Sequence, residues 1–140
     1  MTALPATEFD DETPESLRHN AATAELSPVG RFEWERIIRR VKMPASTKHL
    51  ALTLATYADS DGSRIWPGNE RLARVMCVST STVERGLKRL RSRGFLQRTK
   101  QGNKYAHQAD EHRLTVPSTL LEFDLLPPDE GPSLAVTHDG

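Results

Sequence analysis

The sequence of 140 residues has few of the features that mark secreted and membrane proteins. Its single cysteine, Cys77, excludes an internal disulfide. No apolar run approaches the roughly 20 residues that a membrane-spanning helix needs. The first residues also lack the basic and then apolar order of a secretory signal. We therefore predict a cytoplasmic protein that does not contact membranes.

The sequence also lacks the motifs of the common catalytic and metal sites. It has no glycine-rich phosphate loop, no nucleophile with a plausible base and no pair of acids in an apolar setting. Its five histidines and Cys77 follow neither a Cys-x-x-Cys nor a His-x-x-x-His spacing. These absences predict a protein that is not an enzyme and that holds no metal and no cofactor.

The formal net charge is zero, but the charge is distributed unevenly along the chain. Residues 1–30 carry six acids against one base, and residues 118–140 carry five acids and no base. Residues 71–104 carry ten bases against a single acid, Glu84. Because attraction to phosphate follows the local potential within a Debye length of about 10 Å, this asymmetry favours a nucleic-acid-binding core between acidic segments. The alternative is a solvated basic face on an unrelated protein.

Apolar periodicity and turn residues predict one domain over residues 31–117, with flexible acidic tails at 1–30 and 118–140. The predicted elements are a helix ending before Pro44, a helix from about 45 to 59, a minimal strand over 64–66, helices over 69–77 and 80–93, and strands over 95–99 and 112–116. The fold class is therefore α+β, mainly helical, with a small antiparallel sheet.

Several details of these elements can be predicted as well. Asn69 is expected to cap the helix that follows it, and Trp34 and Trp66 are both expected to anchor the core. The loop before residue 112 is long for a hairpin, so either the last strand begins earlier or the tip is mobile. An apolar cluster over residues 120–126 either docks on the domain or is presented to a protein partner.

The most informative segment is a short basic helix that begins after Ser79 and ends near Gly94. Ser79 can cap the first turn, and Gly94 supplies the left-handed residue that often ends a helix. Val83, Leu87 and Leu90 recur at i, i+4 and i+7, which places them on one buried side. The opposite side carries Ser81, Arg85, Lys88 and Ser92, with Arg89 on the shoulder. This pattern is typical of a DNA-recognition helix.

The elements carry, in order, Lys48–Ala55, Asp61–Gly62, Ile65–Pro67, Leu72–Ala73, Ser79-x-x-Thr82-Val83 with Leu87 and Leu90, and Gly94–Leu96. This order resembles the winged helix-turn-helix family, in particular domains of bacterial phage, plasmid and integrated-element proteins, several of them replication initiators or regulators. The resemblance implies DNA binding, with helix 69–77 positioning and helix 80–93 reading the DNA. The chain departs from the family in its long wing, its acidic tails, and Cys77 at a bend that usually holds glycine. We therefore expect a wider turn at Cys77.

The basic side chains and hydroxyls divide by their chemistry into base and phosphate contacts. Base contacts are expected from Thr80, Ser81 and above all Arg85, while Lys88 and Arg89 reach bases or phosphates. Phosphate contacts are expected from Arg71, Arg74, Ser79, Thr82, Arg98, Lys100, Asn103 and Lys104.

The function that these features favour is sequence-specific binding of double-stranded DNA by a transcriptional regulator. Because one such module usually buries only about 600–1,000 Å² of protein surface, we expect a homodimer or a co-assembly on DNA. Two alternatives stay open. One is a replication initiator or mobile-element protein that binds origin DNA, and the other is a winged helix used for protein interaction.

Overall fold

The computed structural model describes residues 25–103, 105–106 and 108–128. The helices there are α1 (Arg31–Arg40), α2 (Ala45–Tyr57), α3 (Asn69–Met76) and α4 (Thr80–Ser92), and the strands are β1 (Leu26–Pro28), β2 (Leu96–Lys100) and β3 (Glu111–Pro117). The strands form an antiparallel sheet in the order β1-β3-β2. The α+β, mainly helical class is thereby confirmed. None of the described helices has the length and apolar character that crossing a bilayer demands.

The core forms where the apolar faces of α2 and α4 meet. Leu50 and Leu54 of α2 and Val83 and Leu90 of α4 are buried in one hydrophobic cluster, as the spacing of these residues predicts. A Cβ at Gly86 would lie 2.5 Å from the Leu50 Cδ2 atom, so glycine allows the two helices to approach closely. Burying side chains of this size contributes roughly 1.5–3 kcal/mol each. The close crossing holds α4 with its opposite side turned to solvent.

The two tryptophans have opposite environments. Trp34 is fully buried, and its indole N–H donates to the carbonyl oxygens of Phe95 at 3.1 Å and Thr115 at 2.9 Å, which ties α1 to the sheet. The prediction of a core anchor is thus confirmed for Trp34. For Trp66 it is wrong, since 57% of this residue is exposed. Ile65 takes the interior position through a bridge to β3, and alternation along an extended segment then turns Trp66 outward.

The folded unit extends beyond residues 31–117 at its N-terminal side. Leu26–Pro28, which the sequence assigned to a tail, form strand β1 along β3, and Val29 is buried behind them. Three residues are too few to show the alternation of a strand, so only the free edge of β3 reveals their role. The remainder of the predicted tails, residues 1–24 and 129–140, lies outside the described residues.

The apolar cluster after β3 docks on the domain. Phe123 is buried and packs edge to face on Phe95, with ring centroids 5.0 Å apart. Leu125 forms a bridge with Val41, and the Leu126 N–H donates to the Arg40 carbonyl oxygen at 2.6 Å. Of the two alternatives for this cluster, docking is therefore the one that the structure adopts.

The turn between α3 and α4 is tight. Cys77 adopts the left-handed conformation (φ 61°, ψ 44°), and its N–H reaches the carbonyl oxygens of Ala73 and Arg74. The expectation of a wider turn is wrong because cysteine here takes the backbone angles that glycine usually supplies. The predicted cap at Asn69 is also wrong, since Asn69 is the first helical residue and Gly68 occupies the N-cap.

Candidate nucleic-acid interface

Helix α4 has the two ends that its sequence predicts. The Ser79 side chain accepts a hydrogen bond from the Thr82 N–H at 3.2 Å, and the Ser79 and Thr82 hydroxyl oxygens lie 3.1 Å apart. Gly94 has φ +89°, and a Cβ there would lie 2.8 Å from the Pro117 Cβ. The cap and the glycine thus fix where α4 starts and where the chain turns into β2.

The outer face of α4 is open to solvent from its first turn to Lys88, whereas Ser92, which was predicted on the same side, is half-buried. Thr80, Ser81, Arg85 and Lys88 are all exposed. Ser81, Arg85 and Lys88 project from the side opposite Val83 and Leu90, and Thr80 lies at the edge of this face, towards the wing. Among the described residues, Arg85 and Lys88 have no hydrogen-bonding or ion-pair partner. The domain therefore leaves this part of the predicted reading surface uncovered.

Arg89 differs from its neighbours because it is held against α2. Its Nη1 atom donates to the Thr47 hydroxyl oxygen at 3.1 Å, and Thr47 is fully buried. Arg89 itself is half-buried. This contact orients the guanidinium along the border between α2 and α4.

Two further arginines of this segment do not belong to the open face. Arg93 is 3% exposed, and Arg91 is half-buried with its Nη1 atom 3.3 Å from His112 Nε2. Burial, assisted by the charge of Arg91, lowers the pKa of His112 to about 4, while burial also lowers the pKa of Arg91. His112 is therefore neutral near pH 7 and accepts the hydrogen bond from Arg91. The basic count of the segment overstates the charge that faces outward.

The wing, which we define as β2, the 101–110 loop and β3, is braced by one carboxylate. Asp110 accepts the Gly102 N–H at 2.7 Å and the Arg98 guanidinium at 3.2 Å. Burial opposes ionisation of Asp110, but these two donors outweigh it and lower its pKa overall. The sequence left open whether the last strand begins before residue 112. It begins at Glu111, one residue earlier, and an Asn103–Gln108 bridge lies within the loop before it.

The wing side chains that were predicted to contact DNA differ in the partners that they already have within the protein. Lys100 is exposed, while Arg98 is engaged with Asp110 and the Asn103 Oδ1 atom accepts the Tyr105 N–H at 2.8 Å. Lys104 lies outside the described residues. Among the described wing residues predicted to contact DNA, Lys100 is therefore an exposed cation without a hydrogen-bonding or ion-pair partner.

Arg71 and Arg74 extend the basic surface onto α3. Both are exposed, and with Tyr57 and Trp66 they line a groove of about 530 Å³. Sequence reasoning missed Trp66 as a surface residue because the apolar residues around it suggested the core. The signal that would have revealed it is alternation, since Ile65 and Trp66 cannot both face inward.

A larger groove separates α4 from the wing. It has a volume of about 1300 Å³, and α4 contributes Thr80, Glu84, Leu87 and Arg91 to it. The wing side includes Arg98 and Tyr105, of which Tyr105 is 95% exposed. The groove places the open face of α4 and the exposed wing residues on adjoining surfaces.

A known protein family matches the segment that contains α2, α3 and α4. Residues 41–96 match the family model of a helix-turn-helix domain. They form a helix-turn-helix domain. In this helix-turn-helix domain α3 precedes the tight turn and α4 follows it, and the antiparallel strands after α4 are consistent with a winged form. No curated protein and no solved structure matches the chain. A helix-turn-helix domain implies DNA binding.

Proposed function

We propose that the protein binds specific sequences in double-stranded DNA through α4 and the wing, and that it acts as a transcriptional regulator. The observation that carries the proposal is the uncovered outer face of α4, where Arg85 and Lys88 have no partner among the described residues. In a helix-turn-helix, the second helix enters the major groove and its first turns contact base edges.

The dimensions of α4 fit this role. Thirteen residues rise about 20 Å at 1.5 Å per residue, so the first half can enter a major groove about 12 Å wide while the second half follows the backbone. Thr80, Ser81 and Arg85 lie in that first half. The planar guanidinium of Arg85 can donate to both acceptors of a guanine edge, so Arg85 is the principal base reader.

The surrounding side chains supply the phosphate contacts. Ser79 and Thr82 lie at the start of α4, where backbone N–H groups also attract anions. Lys88 and Arg89 on α4 contact bases or phosphates. The remaining phosphate contacts are Arg71 and Arg74 on α3, and Arg98, Lys100, Asn103 and Lys104 on the wing. These contacts fix the position of the protein on DNA without reading its sequence.

One domain of this size offers a small interface, which favours two copies on a two-fold site. We therefore propose that the protein binds DNA as a homodimer or together with a second DNA-binding protein. Sedimentation of the protein on its selected duplex measures the stoichiometry, and a single copy bound at nanomolar affinity would contradict the dimer.

We also propose that the acidic segments on both sides of the domain compete with DNA for the basic face.

The test begins with selection of bound fragments from a random pool of duplex DNA by the full chain. The selected duplex should bind with an affinity that falls steeply with salt, at a slope near −5 in log–log form for about six phosphate contacts. Arg85→Ala should weaken binding to the selected duplex roughly 5- to 150-fold and relax the preference at one position. The matched control is Arg36→Ala, which removes an exposed arginine from α1.

Three results would refute the proposed function or favour one of its alternatives. Absence of binding to any duplex at low salt would refute the proposed function, and salt-independent binding to a protein would favour the interaction module. Selection of repeated sites, together with a need for a helicase or polymerase, would favour a replication initiator over a regulator.

A further inference from the structure

Glu84 is an anomaly within the basic surface. It is the single acid among ten bases over residues 71–104, and it is exposed on α4. It has no hydrogen-bonding or ion-pair partner among the described residues, and Lys88, four positions along the same helix, does not pair with it. Glu84 also follows the first turn of α4, so the helix dipole does not account for it. Its role within the fold is therefore not evident.

Its position on the helix places it among the residues that face DNA. At about 100° per residue, Glu84 lies about 60° from Ser81 and about 40° from Lys88 around the helix axis. It is on the wing side of the open face, where it lines the groove between α4 and the wing together with Thr80. A duplex seated on Ser81 and Arg85 would bring Glu84 close to either a base edge or a phosphate.

The chemistry of a carboxylate favours a base edge over a phosphate as the partner of Glu84. An ionised carboxylate only accepts hydrogen bonds and is repelled by phosphate. In the major groove, cytosine N4 and adenine N6 are the donors, whereas guanine and thymine present acceptors. Adenine adds the N7 acceptor beside its amino group, so cytosine is the better partner.

We propose that Glu84 is a specificity-determining residue that accepts a hydrogen bond from the N4 amino group of a cytosine. The inference rests on the proposed DNA-binding function and adds one specific base contact to it. It predicts that the site contains a position where cytosine binds more tightly than guanine or thymine by roughly 5- to 150-fold.

The test compares the full-length protein with Glu84→Gln on the selected duplex and on its single-base variants. Glutamine donates and accepts, which matches adenine, so E84Q should lose the cytosine preference at one position and gain adenine there. Preferences at the other positions should stay unchanged. Glu84→Asp, which keeps the carboxylate, should retain the preference for the amino-bearing bases at that position.

The matched control is Glu70→Gln, which removes an exposed negative charge from α3 beside the same groove. E70Q should strengthen binding to all variants by a similar factor without changing their order. If E84Q behaves in the same way as E70Q, Glu84 only repels phosphate and the inference is overturned. That outcome leaves the proposed function intact, whereas failure of the wild-type protein to bind any duplex would overturn both.

Discussion

The contact between Thr47 and Arg89 offers a quantitative test of how the fold prepares the DNA-binding surface. Thr47→Val replaces the hydroxyl by a methyl group of similar size, so it removes the 3.1 Å hydrogen bond from Arg89 without leaving a cavity. Holding a long side chain in one orientation before binding is worth about 0.5–1.5 kcal/mol. Because Arg89 reaches DNA from this position in the proposed complex, T47V should weaken DNA binding by about two- to tenfold.

The assay is a double-mutant cycle measured by fluorescence anisotropy on the selected duplex. In the Arg89→Ala background, Thr47→Val should have no further effect on affinity, since the hydroxyl then has no guanidinium to hold. Urea unfolding checks stability, which should change by no more than about 1.5 kcal/mol for the loss of one hydrogen bond. An equal loss of affinity from T47V in both backgrounds would refute the positioning of Arg89 by Thr47.

Two further predictions concern stability. Burial lowers the pKa of His112 from 6.5 to about 4, so the unfolded chain binds a proton at a higher pH than the folded one; stability should therefore fall as the pH drops from about 6.5 to 4. His112→Gln should reduce the pH dependence of the urea-unfolding midpoint across this range. An unaltered pH dependence would contradict the lowered pKa of His112. Cys77→Gly should stabilise the domain by up to about 1 kcal/mol, because glycine adopts the left-handed conformation without strain. A lower thermal midpoint for C77G would count against that reasoning.

The parts of the fold that depend on neighbouring residues along the chain were predictable. Ser79 and Gly94 mark the ends of α4 because capping and left-handed termination involve atoms within a few residues. The buried side of α4 follows from a period of 3.6 residues. The open side with Arg85 follows from the same period, so the sequence also indicated the main candidate for base reading.

The errors arose where a residue's environment is made by distant segments. Trp66 and Trp34 have similar local surroundings, yet only Trp34 finds carbonyl acceptors, at Phe95 and Thr115, inside the fold. Arg91 adds to the basic count of residues 71–104 but was not among the predicted DNA contacts, and it lies half-buried against His112 on β3. The contact that we propose between Glu84 and a base was not predicted from the sequence, because an acid on a basic helix was not interpreted as a base contact.

By itself, the sequence determined the helices, their buried sides, the hairpin and the concentration of positive charge between acidic segments. These properties follow from periodicity and from short-range backbone chemistry. The tertiary structure alone decided that Leu26–Pro28 and Phe123 join the domain, that Arg89 is held by Thr47, and that Arg93 is buried. Each of these contacts joins segments far apart in the chain, and the close crossing of α2 and α4 at Gly86 has no signature in local sequence.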